Sequence, residues 1–159
     1  MSLDAGIDVK SANKMYTEVN EKKKDFVVFK IIDDKLQCTK SFPETNDDIE
    51  EFKNDIDKKT REDNWKTRVY PKLMETIKEE TTPCFIVVDV GYTIEDNGST
   101  RKSSKLIMIG WCPERTSVRN KMLFSGTLKK FSIEIQVKTS LTAHSISDVS
   151  YDEILERIK

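Results

Sequence analysis

The chain has 159 residues, of which 35% are charged, yet 27 basic and 28 acidic side chains leave a formal net charge of −1. This length suits one domain with a full core, and without a global basic field nucleic acid is excluded as an expected partner. Cys38, Cys84 and Cys112 form no Cys-x-x-Cys pair, so reduced core or strand thiols are expected rather than a disulfide framework. The single histidine, His144, lies near no thiol pair, so neither a zinc site nor any other metal or cofactor is expected.

The first ten residues hold Asp4 and Asp8 and no apolar run, which predicts neither a secretory leader nor a membrane anchor and suggests a cytosolic or nuclear protein. Ile7, Val9, Ala12, Met15 and Val19 recur at mostly helical spacing, so residues 7–20 read as an amphipathic helix with Asp8 and Ser11 as candidate caps. Phe26–Ile32 is short, apolar and rich in β-branched and aromatic residues, the pattern of a buried strand. Asp33-Asp34 then turns the chain into a weaker strand over 35–40. Residues 41–67 form the most polar stretch, where only Ile49, Phe52 and Ile56 draw a thin helical stripe. A second helix is expected from Arg68 to Glu80, with Val69, Leu73, Met74 and Ile77 on one side and Pro71 tolerated in its first turn.

Two strands, 84–90 and 106–111, should form an antiparallel hairpin around Asn97-Gly98, the strongest short turn signal. Pro113 stops the second of them, and Thr116 or Ser117 is placed to cap a long helix from about Val118, with apolar Val118, Met122, Phe124, Leu128 and Phe131 and a bending point at Gly126. From Ser132 the alternation through Ile133, Ile135 and Val137 predicts a strand with one covered face. Asp148 or Ser150 caps a last helix, Tyr151–Ile158, whose Tyr151, Ile154, Leu155 and Ile158 form its buried stripe. The expected architecture is α/β of the α+β type: one central mixed sheet of about five strands with helices on both faces.

Trp111, Pro113, Glu114, Val118, Arg119, Lys121 and Met122 stand in the order of a signature segment, and the chain resembles the actin-depolymerising factor/cofilin family on it. Gly6-Ile7-Asp8-Val9 is similar to that family's N-terminus, and Val149 to Arg157 to its C-terminal helix. The resemblance implies a single ADF-homology domain over 1–159, and an actin-binding protein that promotes filament turnover. It places monomer binding on Gly6, Ile7, Arg119, Lys121 and Met122, and filament contacts on Arg101, Lys102, Lys105, Glu156 and Arg157. It also implies a cytoplasmic, cytoskeleton-associated or nuclear location and regulation by anionic phosphoinositide surfaces, for which the basic runs Lys22–Lys24, Arg101-Lys102 with Lys105, and Lys129-Lys130 are candidates.

The chain departs from the family pattern in three places. Ala5 stands where the family has its regulatory serine, with Ser2 three residues upstream. Ser103 replaces a basic hairpin residue, displacing Arg101 and Lys102 toward the turn, so monomer binding should outweigh filament binding and severing should be weak. Residues 43–66 read as an insertion between second strand and second helix. A conventional severing cofilin, or a glia-maturation-factor- or coactosin-like binder of branch junctions or filament sides, is the alternative. Catalysis is not expected, since neither a nucleophile elbow nor a phosphate loop is present. No heptad run appears, so a monomer is expected.

Overall fold

The computed structural model describes residues 17, 19, 24–33, 35–42 and 65–158. Its described elements are β1 (Phe26–Ile32), β2 (Lys35–Phe42), a π-helical turn (Trp65–Val69), α1 (Tyr70–Glu79), β3 (Cys84–Asp96), β4 (Ser99–Trp111), α2 (Val118–Glu134), β5 (Ser140–Ala143), a 3-10 turn (Ile146–Val149) and α3 (Tyr151–Ile158). The five strands form one mixed sheet in the order β2-β1-β3-β4-β5, all neighbours antiparallel except β4 and β5. That parallel pair needs a crossover, which α2 provides.

Alternation along the strands sends their side chains to two cores. Phe26, Val28, Ile86, Val88, Ile107 and Ile109 meet Leu73 and Ile77 of α1 and Ile154 and Ile158 of α3 on one face. Val27, Phe29, Phe85, Val87 and Met108 meet Phe124 and Phe131 of α2 on the other, together with Val19. Thr17 and Val19 are helical; the rest of the expected N-terminal helix, with Gly6 and Ile7, and the polar stretch through residue 64 lie outside the described residues. Trp65, at the end of that stretch, is buried with its ring edge-on to Tyr70 at 5.7 Å. The Tyr70 hydroxyl donates to Val149 O at 3.2 Å and its ring meets Tyr151, which binds α1 to α3.

The strand expected from Ser132 is a correction: these residues are the last turn of α2 and its exit, and the fifth strand lies at Ser140–Ala143. At about 100° per residue a helix puts Ile133 and Ile135 on opposite sides, and Ile135 is buried while Ile133 is exposed. Burial of Phe131 edge-on against Phe29, centroids 5.2 Å apart, outweighs the alternating pattern. The helix then ends in a Schellman motif: Gln136 N donates to Ile133 O and Val137 N to Ser132 O, with Gln136 left-handed at φ 59°. A glutamine there gives no sequence signal, since glycine is the usual choice. α2 is continuous through Gly126.

The hairpin is longer than its apolar cores. β3 and β4 pair from Cys84↔Trp111 out to Asp96↔Ser99, closed by Asn97 (φ 50°) and Gly98 (φ 82°), both left-handed as a type I′ turn requires. β1 pairs with β3 only over Phe85–Val88, and β5 with β4 only over Met108–Trp111. Among the described residues no third strand joins the remainder, but Val90 is still buried in the core and Tyr92 packs against it, so the two-stranded arm past them is the last four pairs, Thr93↔Lys102 to Asp96↔Ser99, about 10 Å at 3.3 Å per residue.

Two side-chain arrangements hold the layers in place. Glu80, its side chain 4% exposed, is bridged by Lys30 of β1 and by Lys40 of β2 at 3.2 Å, while its carbonyl accepts from Trp111 Nε1 at 3.1 Å. Burial raises the carboxyl's proton affinity, but the two ammonium groups prevail and hold it below its ordinary value of 4.5. Gly110 faces α2 so closely that a Cβ would lie 2.7 Å from Phe124 Cζ and 3.0 Å from Leu128 Cδ2. Phe124 has little room to retreat, since it stacks on Phe85 with centroids 5.1 Å apart.

Gly110→Ala should therefore destabilise the fold by about 1–3 kcal/mol through overpacking, read as a lower urea midpoint at unchanged slope. Glu80→Gln should cost about 1–3 kcal/mol near neutral pH. Because the folded-state pKa of Glu80 is depressed, its contribution is complete above the ordinary value of 4.5 and is lost as pH falls through the folded value. Denaturant titrations of the two proteins should therefore converge as the pH is lowered below that value.

Candidate functional site

The signature segment forms a braced corner from which α2 projects. Trp111 ends β4 buried, tied through its indole N–H to the end of α1. The next residue, Cys112, donates its N–H to Ala143 O at 2.9 Å, and a turn closes from Thr116 N to Pro113 O at 3.0 Å. Of the two cap candidates it is Ser117 that serves, in extended geometry, its hydroxyl accepting from Asn120 N at 3.2 Å.

A second loop buttresses this corner, a role the sequence did not reveal although Asp148 in it was named as a cap for the last helix. His144 Nδ1 lies 2.9 Å from Cys112 O; a carbonyl can only accept, so Nδ1 carries the proton. Asp148 receives His144 N at 2.9 Å and Ser145 N at 3.2 Å. These backbone N–H groups, that of His144 first, hold the Asp148 carboxyl below the usual range despite the opposing cost of partial burial. The signal was Ser145-x-x-Asp148, a capping-box spacing. Ser150 caps α3, its hydroxyl accepting from Glu153 N at 3.3 Å.

With the corner fixed, the first two turns of α2 present Val118, Arg119 and Met122 exposed and Lys121 half-buried, while Phe124 turns inward. Arg119, Lys121 and Met122 thus share one projecting surface of cationic and adaptable apolar groups, suited to carboxylates beside an apolar cleft on a protein partner. Glu156 and Arg157 are exposed on α3, which covers the opposite face of the sheet. Arg101 and Lys102 lie in the hairpin arm paired with Ile94 and Thr93, and half-buried Lys105 pairs with Val90. Strand parity gives Arg101 and Lys105 one set of positions and Lys102 the other. The structure therefore separates the two groups of residues named from the sequence: the α2 cluster on one side, the arm and α3 elsewhere.

The remaining chemistry is sparse. Cys38, Cys84 and Cys112 are free thiols, and burial pushes Cys84 up to about 12. Among the described residues, no cluster of three or more His, Cys, Asp or Glu could hold a metal ion, and no helix is long and apolar enough to cross a membrane. A cavity of about 310 Å³ lies beneath the start of α2, lined by Lys30, Ile32, Phe85, Asn120 and Leu123 among others.

Comparison with known proteins agrees with this architecture. Cofilin of Saccharomyces cerevisiae is 30% identical over 90 residues, 56% of this chain and 61% of the yeast protein. Actin-depolymerizing factor 8 of Arabidopsis thaliana is 33% identical over 75 residues, 46% of this chain and 51% of the plant protein. The chain thus matches between about half and three-fifths of the length of these relatives. Among solved structures, the ADF-like UNC-60A protein of Caenorhabditis elegans superposes with a TM-score of 0.70 at 19% identity, over 97% of this chain and 94% of that one. Plasmodium berghei actin depolymerization factor 2 gives 0.68 at 13% identity, over 99% and 96%; at such identities the likeness is one of fold. The profile of the cofilin/tropomyosin-type actin-binding proteins matches residues 56–159, which include the braced corner, α2 and α3, and by that match the chain belongs to the cofilin/ADF family.

Proposed function

We propose that this protein binds actin through the projecting surface of α2, and promotes filament turnover in the cytoplasm with monomers preferred over filaments. The observation that carries the reading is the exposure of Arg119 and Met122 beside Lys121 on a helix start fixed by Ser117 and Trp111. The backbone of this helix start is already fixed and has no ordering cost of its own on docking, which offsets part of the rotamer entropy that the Arg119, Lys121 and Met122 side chains lose there. Gly6 and Ile7 are proposed as its N-terminal extension, and the 43–66 insertion as an addition to the single domain. The preference for monomers rests on the hairpin arm, where strand parity leaves Arg101 as the one basic residue in phase with Lys105.

The arm itself favours a second reading. A two-stranded arm with Arg101 and Lys102 in it and Lys105 at its base is suited to reach a filament side, with Glu156 and Arg157 as further contacts. Anionic phosphoinositide surfaces are the second partner class proposed; Lys129 and Lys130 are exposed for it, whereas Lys24 of the N-terminal lysine run is buried.

Charge reversal, Arg119→Asp with Lys121→Asp, should weaken binding to monomeric actin at least tenfold, about 1.4 kcal/mol, with the thermal midpoint unchanged; retained affinity would discard the α2 surface. In a filament sedimentation titration, actin should move to the supernatant while little of this protein pellets; co-pelleting in proportion to filament would instead favour the second reading. Vesicles containing phosphoinositide should bind the protein more than neutral vesicles, and equal binding would remove the lipid role.

A further inference from the structure

The outward pole of α2 carries apolar surface far beyond its first turns. Val118 is 74% exposed, Met122 55% and Ile133 68%. At about 100° per residue, with Val118 at zero, Met122 stands near ~40° and Ile133 near ~60°, whereas buried Phe124, Thr127 and Phe131 centre near ~210°. The three exposed side chains therefore point directly away from the sheet, spread over about 22 Å of helix axis. Between them on the same pole lie Ser125, small enough to admit a close surface, and Lys129, whose stem can lie along an apolar groove. Exposed valine and isoleucine gain nothing from core burial and are weaker helix formers than the lysine or glutamate usual at such positions.

Charge runs with this stripe. Arg119 and Lys130 flank it on one side and Lys121 on the other, with Lys129 in the stripe itself, against Glu134 as the one acid of the helix, in a chain whose net charge is −1. The matching surface is an apolar cleft rimmed by carboxylates and long enough for four helical turns.

We propose that Ile133 is a docking residue for actin, so that the bound partner takes α2 along its whole outward face rather than at its first two turns alone. The inference rests on the actin reading above and extends it by continuity: one straight pole, apolar at both ends and basic along its flanks, already begins at Met122.

The test compares wild type, Ile133→Ala, Ile133→Asp and Met122→Ala in fluorescence titrations against labelled monomeric actin, with thermal midpoints measured in parallel. Because Ile133 contributes no core packing, all variants should melt within about 2 °C of wild type. Ile133→Ala should weaken binding about 3- to 10-fold and Ile133→Asp more than about 10-fold, comparable to Met122→Ala. Binding by wild type that Ile133→Asp leaves within about twofold, while Met122→Ala weakens it, would overturn the extension and leave the actin reading standing. Absence of wild-type binding would overturn both. Sedimentation velocity of the free protein covers the other occupant: a dimer that Ile133→Asp converts to monomer, with actin affinity retained, would assign the face to a second copy and overturn the proposal.

Discussion

Glu80 is the point at which the separate parts of this fold are tied together. It sits just after α1, and its carboxylate takes Lys30 from β1 and Lys40 from β2 while its backbone carbonyl takes the indole of Trp111 at the end of β4. Four elements thus converge on one residue. A buried carboxylate is costly unless its charge and lone pairs are met, and here two ammonium groups meet them. Lys30 also donates to Thr82 at 3.1 Å, so the loop from α1 into β3 is held by the same cation. Trp111 is in turn the last residue before the corner that aims α2. The corner that aims the projecting helix is thus tied, through the indole hydrogen bond, to the far side of the sheet from that helix.

Most of the sheet could be read from the sequence because its strands are continuous apolar runs buried on both faces. Phe26–Ile32 and the Asn97-Gly98 turn appear where the residue types put them. The reading failed where a periodicity of two arose by chance on a helix: Ile133, Ile135 and Val137 alternate, but their surroundings belong to Phe131 and the sheet beneath it. The short strand Ser140–Ala143 escaped because only Leu141 and Ala143 are buried in it, too few to stand out from a polar loop. Arg68 shows another limit. Its guanidinium meets Asp25 at 3.0 Å and covers Phe42 at 4.9 Å, a contact between residues far apart in sequence that spacing cannot reveal.

The candidate site was legible to a different degree. Arg119, Lys121 and Met122 could be named from their order after Trp111, but not their exposure, which follows from the helical phase that Phe124 and Phe131 impose. The buttress from His144 and Asp148 was only half legible: Ser145-x-x-Asp148 marks a cap, but the carbonyl of Cys112 that receives His144 is a backbone group and leaves no mark in a sequence. What selects the site is thus a rigid mount built largely of main-chain hydrogen bonds, with a few exposed side chains fastened to it.

The hairpin arm has a consequence for how the protein survives at high concentration. Among the described residues no further strand pairs with the outer part of β3 and β4, and an open strand edge is the usual beginning of edge-to-edge association. The sequence of this stretch carries acids on one strand, Glu95 and Asp96, and bases on the other, Arg101 and Lys102 with Lys105 at the base, none of the acids directly opposite a base in the register. A foreign strand would have to bring matching charge in register before it could pair. Charge on an open strand edge opposes such pairing as a covering helix does for the middle of a sheet, so replacing these charged residues with apolar ones would favour aggregation.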